Sequence, residues 1–354
     1  MLPVAIDRGV VVAAARRGDG RLRCWSLQER EPVDLDLAGI GPGRVDGWGA
    51  YPAGVAWALG EAGLALGGAD LVVDGDVPVG AGLSSSAALE CATALALADL
   101  PGPVPPGPVP VPPGPVDRVS RVELARLARR AEVEVVGMPC GLMDQMVSML
   151  ARAGHALFLD TRTLATEQLP LDLDAAGLRL LVVDTRAPHR LVEGAYAERR
   201  AAVEAAARVL GVPALRDAAP ELVEAATGDL GDPGLRRARH VVSENGRVLE
   251  AVELLRAGAL DRLGPLLAAS HISLRDDFEV SCPELDAAVE AAVASGALGA
   301  RMTGAGFGGS ALALVPDDVV GRVTAGVRAA FAAAGFRPPE IIRVHLSDGA
   351  RRLR

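Results

Sequence analysis

An α+β architecture in two lobes is what this sequence predicts, on three observations. Short β-rich runs interleave with helical segments along most of the chain, the pattern of mixed helix and sheet layers. The 354 residues are enough for two domains of ordinary size around large buried cores. Half of the residues are apolar while aromatics make up only 3%, so those cores must be built mainly from Val, Leu and Ala.

Residues 2 to 37 hold β-rich runs such as Val10-Val11-Val12 between Gly-Asp-Gly and Glu-Arg-Glu turn signals, which predict hairpins. An apolar helical segment covers 52–59. Leu71-Val72-Val73 reads as a strand that stops in the turn Asp74-Gly75-Asp76-Val77-Pro78. Ser86 to Ala98 reads as helix, since Ala, Leu and Glu favour it, and the serines at its start are N-cap candidates. The run of Pro, Gly and Val over 101–116 can form neither helix nor central strand and reads as a solvated surface insertion. Helical periodicity resumes over 118–135, with Leu124, Leu127, Ala128 and Ala131 on one face. Strands follow at 157–159 and 178–183, then helices at 190–210, 235–256, 261–270 and 283–295. The last third alternates strands at 299–303 and 311–315 with a helix at 319–334 and a strand at 341–345. We place the lobe boundary within 161–170, giving domains 1–165 and 166–354.

Composition excludes several functions. All 36 basic residues are Arg, so the P-loop pattern G-x-x-x-x-G-K-S/T is absent. A formal net charge of -9 disfavours nucleic acid as a partner, because phosphate backbones recruit basic surfaces. No apolar run reaches the ~18 to 20 residues of a membrane span, and Met1 to Asp7 lacks the basic start of a signal peptide. We therefore expect a cytoplasmic protein without membrane contact. Cys24, Cys91, Cys140 and Cys282 are scattered with no C-x-x-C pair, which predicts reduced thiols and no zinc site. His155, His189, His240, His271 and His345 have no suitable acidic neighbours and read as structural or surface residues.

Three segments carry candidate chemistry. Gly80-Ala81-Gly82-Leu83-Ser84-Ser85-Ser86 joins the strand at Leu71 to the helix at Ser86. Glycines let a backbone approach a ligand, and the first turn of a helix offers unpaired N–H groups and a partial positive charge, which suits a triphosphate. An ordinary capped helix after a glycine turn has the same local pattern. In the second segment Met143, Met146, Val147 and Leu150 fall at i, i+3, i+4 and i+7, so a helix begins around Gly141 with Asp144 in its first turn. There the helix dipole favours the charged carboxylate, which could orient a substrate hydroxyl and accept its proton, or simply serve helix stability. The third is a loop between two strands in which Gly304, Gly306, Gly308 and Gly309 occupy four of six positions. A hairpin turn needs fewer, so close approach to another backbone or a phosphate is expected.

In their order, the Gly-Leu-Ser-Ser-Ser-Ala helix start, the Cys-Gly-x-Met-Asp-Gln turn and the Thr-Gly-x-Gly-Phe-Gly-Gly loop resemble the GHMP small-molecule kinases. The finer resemblance is to the galactokinases. Trp48, Tyr51, Gly54 and Val55 fit their early helix, Glu132, Gly141, Asp144 and Gln145 their substrate turn, and the run from Ser270 through Gly309 follows their pattern throughout. The resemblance implies a ribosomal-S5-like N-terminal domain and a ferredoxin-like C-terminal domain. It implies that Gly80 to Ser86 hold the ATP phosphates, with Ser86 and Glu132 coordinating Mg²⁺. It further implies that Asp144 acts on the C1 hydroxyl of galactose and that Gly141 and Tyr196 contact the sugar; a monomer is expected. Galactosamine or arabinose is the alternative substrate, and a catalytically silent galactose or ATP sensor is the alternative outside enzymes.

Galactokinases open with a motif of the form R-V-N-L-I-G-E-H-T-D-Y-N-G-G, followed closely by a strand like Leu2-Pro3-Val4-Ala5-Ile6-Asp7, with which this sequence starts. The expectation is a reading frame opened too late at a GTG codon, and its rival is a true truncation that leaves binding without catalysis.

Overall fold

The computed structural model describes residues 1–64, 66–100, 119–187 and 192–353. The Pro-rich insert at 101–116 therefore lies outside the described residues. The described residues group into two compact units, and the chain passes between them more than once. One comprises Pro3–Pro78, Ser84–Gln168 and Leu346–Arg354, the other Met1–Leu2, Val79–Leu83 and Leu169–His345. A single cut at residue 165 does not describe this division, because Val79–Leu83 belongs with the second unit and the last nine residues with the first. No described helix is long and apolar enough to cross a membrane.

The first unit is built on a four-stranded sheet of β1 (Val10–Arg16), β2 (Arg21–Ser26), β3 (Val33–Asp36) and, after helix α1 (Ala50–Glu61), β4 (Ala69–Gly75). Strand order is β1-β4-β2-β3. Strands β2 and β3 form the expected antiparallel hairpin, but β1 and β2 do not pair. Instead β4 inserts between them, antiparallel to β1 and parallel to β2. The Gly-Asp-Gly turn signal did mark a chain reversal. Its amides are claimed by Gly67 and Gly68, with Arg17 N–H and Gly20 N–H donating to their carbonyls, and this leads β4 into the central place. In this middle place β4 buries Leu71 and Val73, and Leu71 joins the core formed with the helices.

Helices α2 (Ser85–Asp99), α3 (Arg121–Ala131) and α4 (Met143–Leu150) complete that core with α1, joining Leu59, Leu97, Leu124, Met146 and Met149 to Leu22 and Leu71. The periodic face foreseen on α3 is the buried one, and Ser120 caps it through the Glu123 amide. The helix does not run to Val135 as α-helix. From Glu132 to Val136 it widens to an i→i+5 turn, ending at Gly137 in the left-handed region. Two short strands, β5 (His155–Leu159) and β6 (Thr166–Pro170), follow. The second of them lies in the segment read above as a domain boundary.

In the second unit, β7 (Leu178–Asp184) leads into α5 (Val192–Val209), α6 (Pro220–Ala225), α7 (Thr227–Arg256), α8 (Leu263–Asp276) and α9 (Pro283–Ala294). Helix α7 is broken at Gly231 (φ 64, ψ 172) with Pro233 just beyond, so its regular part begins close to the expected Leu235. The short α6 escaped sequence reading. Then come β8 (Gly299–Met302), β9 (Ser310–Pro316), α10 (Val320–Ala334) and β10 (Glu340–Val344). Sheet order is β10-β7-β9-β8, all antiparallel, which is the ferredoxin-like arrangement of fourth, first, third and second strands.

Helices α9 and α10 cover this sheet through Leu285, Val289, Val323, Val327 and Phe331, while α5, α6 and α7 share a separate apolar cluster. Phe331 is wholly buried, so Phe331→Ala should cost about 3–5 kcal/mol, read as a lowered urea midpoint in equilibrium unfolding.

Candidate active site

Two constellations, one in each unit, hold the residues singled out above. In the first unit, Ser84 precedes α2 with φ 59 and ψ 45, a left-handed conformation uncommon for a side-chain-bearing residue. Its side chain makes no cap bond, contrary to the N-cap expectation. It is hydrogen-bonded instead to Asp144, in the first turn of α4. Ser85 and Ser86 begin α2, where first-turn amides lack intrahelical acceptors.

The Asp144 carboxyl lies above the ordinary aspartate range. Removal from water is the main cause, the Ser84 bond opposes it, and the Glu132 charge adds to it. The helix-dipole expectation of a favoured charged form is thus corrected: desolvation outweighs it at this position. Gly141 is exposed in the turn before α4.

Behind Asp144 lies a dry polar cluster. Glu132, at the start of the widened turn and 7% exposed, accepts from Gln145 Nε2 at 2.7 Å and from the Cys140 thiol at 3.2 Å, both at Oε2. Gln145 Nε2 also donates to Glu90 Oε2 at 3.1 Å. Glu90 is fully buried, and burial together with the Glu132 charge pushes its carboxyl up to about 9. It is therefore neutral at pH 7 and can donate to Glu132. Burial also raises the Cys140 and Cys91 thiols and the Tyr51 hydroxyl, each raised further by Glu132 and Glu90. All four cysteines are free. Sequence reading gave Glu90 no role. Its signal was one carboxylate in an otherwise apolar stretch of helix, which marks a buried ionisable group but not its partner.

Among the described residues no cluster of three or more His, Cys, Asp or Glu is arranged to hold a metal ion. The donors present are hard oxygens: the buried Glu132 carboxylate and the Ser86 hydroxyl. Such a set fits Mg²⁺ that shares its coordination with phosphate oxygens, the usual way this ion is held.

In the second unit two glycine loops lie backbone to backbone. Gly304 faces Gly82 so closely that a Cβ on Gly304 would lie 3.0 Å from the Gly82 carbonyl oxygen. A Cβ on Gly309 would lie 3.2 Å from that of Ala81. Ser310 Oγ donates to the Ala81 carbonyl at 2.7 Å, and Thr185 donates through both N–H and Oγ1 to Gly309 O. The close-approach expectation for the third segment holds, and the partner is the first segment. Gly306 turns elsewhere, against the Val280 carbonyl.

Tyr196 falls on α5, but its side chain lies outside the described residues. The expectation that no histidine has an acidic neighbour is overturned at His271. Its Nε2 is 3.2 Å from Asp286 Oδ1, and its Nδ1 accepts from Met302 N–H at 3.3 Å. Fifteen positions of sequence separation hid that pair, which props the edge strand β8.

The chain matches the GHMP kinases N terminal domain over residues 50–152 and the GHMP kinases C terminal domain over residues 251–333. It is 50% identical to the galactokinase of Streptomyces coelicolor, covering 100% of this chain and 88% of that protein. It is 40% identical to that of Mycobacterium tuberculosis, covering 100% and 93%. The structure of Lactococcus lactis galactokinase complexed with galactose superposes with a TM-score of 0.90 at 32% identity, covering 99% of this chain and 89% of that one. Methanococcus jannaschii mevalonate kinase shares the fold, with a TM-score of 0.63 at 15% identity. The chain belongs to the galactokinase family of the GHMP kinases.

Glu90 offers a direct check of the buried cluster. Its folded value near 9 stands above the ordinary 4.5, so its contribution to stability is full below pH 4.5 and is lost as pH rises towards 9. In Glu90→Gln the fall in Tm between pH 5 and 9, read by calorimetry, should be shallower than in the parent protein.

Proposed function

We propose that this protein transfers the γ-phosphoryl group of ATP to the C1 hydroxyl of galactose, releasing ADP and galactose 1-phosphate. The observation that carries the reading is the Asp144 carboxyl, lifted by desolvation and tethered to Ser84 at the head of α2. A carboxylate with a raised pKa is a better proton acceptor than an ordinary one near neutral pH.

Phosphoryl transfer asks a protein mainly for positioning and charge neutralisation. The amides of Gly80 to Gly82 and of the first turn of α2 supply donors to phosphate oxygens, with no lysine required. Gly304 to Gly309 hold the 79–83 backbone in place from behind. Asp144 orients the C1 hydroxyl and takes its proton as the C1 oxygen bonds to phosphorus and the bond to the ADP oxygen breaks. Gly141 contacts the sugar. Ser86 and Glu132 would hold Mg²⁺, which supplies positive charge for the phosphate oxygens when bound. Gln145 and Cys140, donating to Glu132 Oε2, fix that carboxylate's orientation, and neutral Glu90 spares it a second negative charge.

The test is Asp144→Asn with ATP and galactose. Loss of the proton acceptor should lower kcat by about 10²–10⁴-fold while leaving the KM for ATP within a few-fold. In the parent enzyme kcat/KM should fall as pH drops through the raised Asp144 pKa, above the ordinary aspartate range, and the variant's residual rate should lack that limb. Unchanged kcat in the variant would remove Asp144 from the chemistry.

A further inference from the structure

Three arginines from two helices converge on one turn of the second unit. Arg199 of α5 donates from Nε to the Phe278 carbonyl at 2.8 Å and from its terminal nitrogen to the Glu279 carbonyl at 3.3 Å. Arg236 and Arg237 of α7 each donate to one carboxylate oxygen of Glu279, and also to the carbonyls of Asp276 and Asp277. Arg237 is 3% exposed, so its charge depends on these acceptors in a way that a surface pair does not. The two guanidiniums hold the Glu279 carboxyl down at about 2. Glu279 has φ 54, a left-handed conformation that costs energy unless its surroundings enforce it.

The next residue carries the consequence. The Val280 carbonyl accepts from Phe307 N–H at 2.7 Å, in the middle of the 303–310 loop. Phe307 is itself left-handed (φ 59), and only a glycine at 306 leaves room for that carbonyl. The loop in turn meets Gly82 and Ala81 through Gly304, Gly309 and Ser310. From the arginines to Gly82 the contacts are continuous and stay within one compact unit.

We propose that the Arg199, Arg236 and Arg237 clamp on Glu279 is a positioning device that sets both glycine loops, so that Glu279, a positioning residue, governs affinity for the nucleotide. This deepens the function proposed above and rests on it for the assignment of ATP to those loops. If the arginines merely fastened α5 and α7 to the turn, their loss would destabilise the unit at large and would not single out one substrate.

Hydrogen exchange on the full chain together with steady-state kinetics separates these roles. In Glu279→Gln, exchange of residues 79–83 and 303–310 should rise about tenfold, with α10 unchanged, and the KM for ATP should rise by about the same factor with that for galactose little affected. Arg236→Ala keeps the Arg237 pair and should move both readouts the same way by less, and it carries the test if Glu279→Gln does not fold. No change in loop exchange, or an equal rise in α10, overturns the proposal. Faster loop exchange with an unchanged KM for ATP upholds the positioning role and instead overturns the assignment of ATP to the loops.

Discussion

Contact between two backbones, with no side chain between them, is the constraint on which the second unit depends. Gly82 and Gly304 approach so closely that a methyl group on Gly304 would press on the facing carbonyl. A loop made this way cannot be stiffened by side-chain packing at the contact itself. Its rigidity has to come from its ends and its back: Thr185 on Gly309, Ser310 on Ala81, Val280 on Phe307, and His271 on Met302. These props are hydrogen bonds to backbone groups, and each satisfies a polar group that would otherwise be costly to bury.

The first unit solves a different problem. Asp144, Glu132 and Glu90 are drawn together away from water, where like charges cannot all persist. Relief comes from protonation of Glu90, from the Gln145 amide spanning Glu90 and Glu132, and from the Cys140 thiol. The result is a Glu132 carboxyl held by fixed donors and a raised carboxyl at Asp144 tied to Ser84. The chain, whose basic residues are all Arg, sets one guanidinium at the edge of this cluster, Arg129 Nε donating to the Cys140 carbonyl at 3.1 Å. It manages the carboxylates by protonation and neutral donors.

Much of the fold was legible in the sequence wherever periodicity or turn chemistry is local. The faces of α3 and α4 and the strand and helix alternation after Gly299 follow from neighbours a few residues apart. Sheet order was not legible. Whether β1 pairs with β2 or admits β4 is decided by Gly67 and Gly68, some fifty residues on from the turn that seemed to close the hairpin. The site was legible as residues and illegible as bonds. Ser84 looked like a helix cap and is hydrogen-bonded to Asp144. The partners of Glu279 carried no local signal, since Arg236 and Arg237 lie more than forty positions earlier.

By itself the sequence determined which chemistries were available: hard oxygen donors, glycine turns, no lysine, and three motifs whose order marks the family. Only the tertiary structure decided protonation and position. Whether a carboxyl is charged depends on how much water it loses and which charges surround it, and whether a glycine loop is rigid depends on which distant carbonyls and hydroxyls reach it. Both are sums over neighbours in space, and the order of residues along the chain does not state them.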